Sequence, residues 1–330
     1  MLALAAAPLG FKVHVFGPER GCAADVAAAF TQAAFDDAPA LARFATEVDV
    51  VTFEFENLPV EPLKALGNKL RPGTTSLAIA QDRVVEKRFI EANGATVSPW
   101  REVNSAEDAA AAVTALGLPV VLKSRRLGYD GKGQAWIRSA DEVTAAWDAI
   151  GRQPAVAEAG VAFEAEFSVL VARTATGETK VWEVPRNLHE NGILRRSEVP
   201  PGLGGTGEAV AVALVLAEAL GHVGVMAVEF FATSDGPIIN EIAPRVHNSG
   251  HWTIEGAETS QFEQHIRAVC GLPLGAVGLT GRSVSMDNLI GDQVDDWPEL
   301  IAEPGAHVHH YDKGDARSGR KMGHVTRVVR

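Results

Sequence analysis

Apolar positions recur along this chain with two spacings, and each spacing sets a different element. Residues 11–17, 48–55, 119–124, 155–158 and 164–173 are short apolar or alternating runs that predict strands. Residues 1–7, 40–46, 81–93, 105–116, 139–150, 207–220 and 260–270 carry apolar side chains three and four apart, which predicts helices. Ser105 with Asp108, Ser139 with Glu142 and Ser260 with Glu263 have capping-box spacing, and Gly94 marks a helix stop. Residues 223–231 and 237–242 read as paired strands around Ser234-Asp235-Gly236. From 283 onward the tail is short and strand-like, with little helix signal. "LRPGTTS", 70–76, is a boundary, and no repeat or low-complexity tract interrupts the pattern.

The opening segment alternates helix and strand, which implies a parallel, wound sheet with ligands beyond the carboxyl ends of its strands. Glu54, Glu56 and Asn57, in "TFEFEN", fall at such an end. The chain begins inside a helix, whereas a wound domain opens on a strand and a Gly-rich turn. The expectation is a late start site or a missing first strand.

Composition narrows the classes. The 330 residues are 46% hydrophobic and 22% charged, ordinary for a globular chain of two or three domains. A net charge of -12 gives no footprint for nucleic acid but leaves room for a phosphorylated small ligand. Two cysteines make no disulfide framework and fit a reducing cytoplasm. No apolar run is long enough for a membrane helix, and "MLALAAAPLGFK" lacks the basic start of a signal peptide.

Three stretches carry candidate chemistry. With a three-residue loop, the hairpin pairs positions whose numbers sum to 470, which sets Glu229 opposite Glu241 on one face; a four-residue loop would separate them. Facing carboxylates repel, and unpaired ones in a sheet are expensive, so the pair suggests a cation between them, with Asn240 as a further oxygen. "VVLKSRRLGYDGKGQ" brings a strand to Lys123 and then a loop of three glycines, a phosphate-cradling design supported by Arg125 and Arg126. A surface hairpin is the alternative. "YDKGDARSGRKMGH" gathers Lys313, Arg317, Arg320 and Lys321, which suits a phosphate monoester or a plain solvated turn. His309-His310 reads as a strand-surface pair.

The order of strand-borne lysine, Gly-rich loop, hinge carboxylate and two metal carboxylates resembles the ATP-grasp superfamily. Within it, "GYDGKGQ", "NLHENGILRRS" and "NEIAPRVHNSGHWT" resemble the N5-carboxyaminoimidazole ribonucleotide synthetases over essentially the whole chain. The resemblance implies an α/β fold of three parts: an N-terminal wound domain (1–76), an ATP-grasp domain (77–272, lid about 95–158) and a small C-terminal β-rich domain (273–330). It implies a ligase that joins bicarbonate to aminoimidazole ribonucleotide through carboxyphosphate, using ATP and Mg²⁺ (or Mn²⁺), in a cytoplasmic homodimer of the purine pathway. Arg83 and Lys123 would meet the ATP phosphates under a lid of Gly128, Tyr129, Asp130, Gly131, Lys132, Gly133 and Gln134. Glu158, Ala159, Gly160 and Val161 would line the adenine hinge, Glu166 would hold the ribose, and His189 and Asn240 would lie beside the nucleotide. Glu229 and Glu241 would bind the metal. Glu54, Tyr129, Asp130, His247, Asn248 and Ser249 would hold the ribonucleotide, with Lys313 and Arg320 on its phosphate. Lys123, Asp130 and His247 are the catalytic candidates, the last two as general bases. Family members begin with a strand and a Gly-rich turn before the helix that opens here, and they continue past "HVTRVVR", so both ends look shortened. The alternatives are another ATP-grasp ligase, such as the formate-dependent glycinamide ribonucleotide transformylase, or a silent nucleotide-binding regulator.

Overall fold

A computed structural model describes residues 1–128 and 131–330. Two short strands, β1 (His14–Gly17) and β2 (Ala29–Gln32), pair in parallel near the N-terminus. Helix Ala38–Thr46 follows, capped by Asp37, whose carboxylate accepts from the Ala40 N–H at 2.9 Å. Leu41 of that helix joins Phe53, Leu63 and Leu77 in a small core, and buried Phe44 meets the Phe16 ring at 5.2 Å. The strand expected at 48–55 is reduced to a single parallel bridge, Val51 to Leu70. Its neighbours are diverted: Thr52 bonds the His265 ring at 2.7 Å, and Glu54 accepts from the Leu2 N–H at 3.1 Å.

Helix Arg83–Ala92 starts at Asp82, a buried cap that accepts from the N–H groups of Val84 and Val85. It leads into a four-stranded antiparallel sheet built from β3 (Trp100–Val103), β4 (Val120–Ser124), β5 (Gln134–Ile137) and β6 (Ala155–Ala159), in the order β3-β6-β4-β5. Helices Ala106–Leu116 and Val143–Ala149 cover one face through Ala109, Val113, Val143 and Trp147. The capping boxes form by halves. Ser105 caps its helix through the Asp108 N–H, but the Asp108 carboxylate serves Asn104. Ser139 makes no cap bond, and Glu142 takes the Arg138 N–H.

The rest of the chain builds one large antiparallel sheet. Its strands are β7 (Ala165–Arg173), β8 (Thr179–Val181), β9 (Arg186–Glu190), β10 (Ile193–Val199), β11 (Gly224–Thr233), β12 (Gly236–Ala243), β13 (Ser283–Ile290), β14 (Ala306–His310) and β15 (Lys321–Val329). The order is β12-β11-β7-β9-β10-β13-β15-β14, with β8 beside β7. Alternation along β7 splits its side chains between two cores. Val169 and Val171 pack under helix Thr206–Ala219, while Leu170 and Ala172 pack against helix Gln261–Val269. The C-terminal strands continue this sheet through the pairing of β10 with β13, so the β-rich tail shares its hydrogen-bond ladder. A short helix, Trp297–Ala302, lies in that tail where little helix was expected; Pro298 in its first turn starts it. His309 is more than a surface residue: it stacks on buried His324 at 4.4 Å and meets Glu255 at 2.7 Å.

Candidate active site

A cleft of about 970 Å³ opens between the two larger sheets. Its floor is the β11–β12 hairpin. The turn is a two-residue loop, Ser234-Asp235, closed by Thr233 opposite Gly236, not the three-residue loop expected. One extra residue, Asn240, then bulges out between the pairs Phe230–Ile239 and Glu229–Glu241. The shorter loop and the bulge cancel, so Glu229 does stand opposite Glu241. The bulge brings Asn240 to the cleft as well, beside both carboxylates.

These groups are wired to the walls. Asn240 Nδ2 donates to Glu229 Oε2 at 3.3 Å, and its Oδ1 accepts from Lys123 Nζ at 3.2 Å. Arg83 donates to Glu241 Oε2 at 3.2 Å. His247 Nε2 lies 3.3 Å from Glu229 Oε1. The two glutamates diverge electrostatically. Burial, then the charge of Glu241, pushes Glu229 up to about 7. Burial also acts on Glu241, but Arg83 and Lys123 outweigh it and hold that carboxyl low. Glu229 is thus a buried carboxylate short of positive charge. Among the described residues no group of three or more His, Cys, Asp or Glu side chains is placed to hold a metal. A cation here would take two carboxylates and one amide oxygen from the protein and its remaining ligands from substrate oxygens, the habit of Mg²⁺.

Lys123 is the penultimate residue of β4, every residue of which is buried. Its Nζ lies 3.0 Å from Glu158 Oε2. The other oxygen of Glu158 faces Lys87 Nζ at 3.1 Å, an ion contact off the hydrogen-bonding axis. The Glu158 carboxylate is therefore tied up between two lysines, while Ala159, Gly160 and Val161 line the cleft beyond it. Arg125 and Arg126 line the cleft beside the Gly-rich loop, but their guanidinium groups are already engaged. Both turn to the buried cap Asp82, at 2.8 and 2.9 Å, and Arg125 also meets Glu102.

The Gly-rich loop folds tightly on its own chain. Gly133 has φ +70, and a Cβ there would meet Ser124 Oγ at 2.5 Å. Gly128, Gly131, Lys132 and Gln134 line the cleft; Tyr129 and Asp130 lie outside the described residues. Glu166 and His189 line it together, 2.9 Å apart. Burial works to lower the His189 pKa, but Glu166 and Glu229 outweigh it and raise it.

At the other end, Glu54, His247, Asn248, Lys313 and Lys321 line the cleft. Asn248 is fixed by a reciprocal amide pair with Asn288, at 2.9 and 2.7 Å. Ser249 is fully buried and reaches His247, not the cleft. Arg320 donates to the Lys313 carbonyl at 3.1 Å, and its neighbour Lys321 lines the cleft instead. Sequence reasoning passed over Arg245, bound to Glu56 by two bonds of 2.9 and 2.8 Å, and Lys87. The signal for Lys87 was its i,i+4 spacing from Arg83.

Gln261 clamps the His247 backbone from both sides, accepting from its N–H at 2.9 Å and donating to its carbonyl at 2.7 Å. A Cβ on Gly250 would strike Leu170 and come within 2.7 Å of Gln261 Oε1. Gly250→Ala is expected to cost about 1–3 kcal/mol by overpacking and to lower activity by releasing His247. Urea unfolding with a turnover assay checks this; no change in either would show that the loop has slack.

The chain matches three family models. The ATP-grasp domain covers residues 88–262, the ribonucleotide synthetase preATP-grasp domain 1–81, and the phosphoribosylaminoimidazole carboxylase C-terminal domain 284–330. An N5-carboxyaminoimidazole ribonucleotide synthase of Brucella melitensis is 47% identical over 99% of this chain and 92% of its own. That of Pseudomonas aeruginosa is 44% identical, over 99% and 90%. Among solved structures, an ADP complex of such a synthetase superposes with a TM-score of 0.95 at 42% identity, over 99% of this chain and 88% of that one. The Aspergillus clavatus enzyme, in complex with ADP and 5-aminoimidazole ribonucleotide, gives 0.93 at 28% identity, over 100% and 90%.

Proposed function

The chain belongs to the N5-carboxyaminoimidazole ribonucleotide synthetase family of ATP-grasp ligases, which use ATP to carboxylate aminoimidazole ribonucleotide in purine biosynthesis, and on that premise we propose how this cleft performs the reaction. The observation that carries the proposal is the opposed pair Glu229 and Glu241, between Lys123 and Arg83 on one side and His247 and Asn248 on the other.

Bicarbonate is the carboxyl donor. Its oxygen attacks the γ-phosphorus of ATP, the bond to the β-phosphate oxygen breaks, and ADP leaves behind carboxyphosphate. The exocyclic amine of the ribonucleotide then attacks the carboxyl carbon. Phosphate departs, the amine loses a proton, and a carbamate remains. Glu229, Glu241 and the Asn240 amide would hold Mg²⁺, or Mn²⁺ in its place, which when bound neutralises charge on the nucleotide phosphates. Lys123 and Arg83 present fixed positive charge to the transferring phosphoryl group. The strands β4 and β5 and the Gly-rich loop between them form a lid that keeps water from carboxyphosphate. Glu166 suits the ribose hydroxyls of ATP, and the segment from Glu158 to Val161 suits its base. Lys313 and Lys321 supply cations for the monoester of the second substrate. By kinship we also infer a homodimer in the cytoplasm; among the described residues no helix is long and apolar enough to cross a membrane.

The test is ADP release by the purified chain with Mg-ATP, bicarbonate and aminoimidazole ribonucleotide, omitting each in turn. Release is expected to require the ribonucleotide. Release with formate and glycinamide ribonucleotide instead would overturn the proposal.

A further inference from the structure

A row of buried polar side chains crosses the large sheet beneath the cleft and ends on His247. Ser197 Oγ donates to Asn187 Oδ1 at 2.8 Å, its direct cross-strand neighbour on β9. Asn187 Nδ2 donates to Ser168 Oγ at 3.1 Å. Ser168 Oγ lies 2.6 Å from Ser249 Oγ, and Ser249 Oγ lies 2.8 Å from His247 Nδ1. Ser168, Ser197 and Ser249 are fully buried. Ser168 is also the cross-strand neighbour of Glu229, so the row returns to the carboxylate that His247 faces.

The direction of this chain is fixed at both ends. Asn187 gives its amide hydrogen to Ser168, so the Ser168 hydroxyl hydrogen is left to point onward to Ser249. At the histidine, the backbone N–H of Ser249 also points at Nδ1, at 3.4 Å. A backbone N–H can only donate, so this long contact favours a lone pair on Nδ1 and the ring's single proton on Nε2, while the 2.8 Å hydroxyl contact is the stronger of the two. Nε2 in turn faces a carboxylate oxygen, an acceptor. Each bond agrees in sense, which is how a hydrogen bond to one ring nitrogen selects what the other carries.

We propose that the chain Ser197–Asn187–Ser168–Ser249 holds His247 as the Nε2–H tautomer, so that it offers the cleft a hydrogen-bond donor and not a proton acceptor. His247 is then no general base for the amine; its Nε2–H faces Glu229 Oε1 in the cleft. Ser249 and Ser168 are positioning residues. This inference deepens the carboxylation reading, and its kinetic consequence rests on that reading.

Histidine-selective ¹⁵N labelling of the full chain, with two-bond ¹H–¹⁵N correlation, reads the tautomer directly. The His247 signal is assigned by its loss in His247→Gln. Wild type is expected to give the Nε2–H pattern, and Ser249→Ala and Ser168→Ala a mixture with Nδ1–H. The same two variants are expected to lose roughly tenfold in kcat with the KM for ATP unchanged. A wild-type Nδ1–H pattern, or variants with unaltered tautomer, would overturn the inference. A wild-type chain that shows the Nε2–H pattern but carboxylates nothing would overturn the proposed function and leave the tautomer assignment standing.

Discussion

Lys123→Met is expected to lower turnover by about 10²–10³-fold, the loss that follows removal of one preorganised charge from a developing oxyanion. The ammonium group is held in place by Glu158 at 3.0 Å and Asn240 at 3.2 Å. Burial, together with Arg83 and Lys87, works against its charge and lowers its pKa despite Glu158. A cation kept so expensively has to be met by incoming negative charge, and the ATP phosphates supply it in the proposed reaction. Methionine keeps the stem and removes the charge. Steady-state ADP release and equilibrium nucleotide binding, measured together, separate the two roles. Lost turnover with retained binding places Lys123 at the transferring phosphoryl group, whereas turnover within tenfold of wild type would remove it from that group.

Glu158→Gln is expected to cost about 3–5 kcal/mol of stability, because it strips the counter-charge from two buried lysines at once. Lys87 is 1% exposed and, among the described residues, has no other ion pair. Burial alone would raise the Glu158 pKa, but Lys123, Lys87 and Arg83 outweigh it and hold it at about 2. A carboxyl depressed on folding stabilises fully above its unfolded pKa, near 4.3, and that contribution is lost as pH falls through about 2. The gap between wild type and variant should therefore be full at pH 7 and shrink below about pH 4. Glu86 works in the opposite sense. Burial pushes it up to about 8, so its contribution is present at low pH and lost as pH rises through that value. Urea midpoints across this range check the prediction, and equal midpoints at pH 7 would refute it.

Local signals in the sequence carried part of the site. Lys123 could be placed because an apolar run ends on it, and Glu229 and Glu241 because period-two alternation puts paired positions on one face. The glycines at 131 and 133 announced themselves by type, and both adopt positive φ. Long-range partners left no such trace. Nothing near Arg125 or Arg126 in sequence says that a buried helix cap 43 and 44 residues earlier will claim them. Glu158 sits in a hinge-like position, yet its side chain answers to Lys87 from another element. Ser249 belongs to a polar run, but Ser168 of β7, distant in sequence, meets its buried hydroxyl. The stretch 48–55 has strand-like composition, and tertiary contacts left it with one bridge. In the tail, Lys321 and not Arg320 reaches the cleft, because alternation along β15 turns on where that strand begins.

The Asn240 bulge makes the floor hairpin a closed count. The turn is one residue shorter, and the strand one longer, than a plain three-residue hairpin of the same register. Either change alone would rotate every side chain beyond it to the opposite face and carry Glu241 out of the cleft. Insertions and deletions in residues 230–240 should therefore survive only in compensating pairs. Turn length in this hairpin, a surface property that chains ordinarily vary freely, is here bound to the chemistry of Glu229 and Glu241 on either side of it.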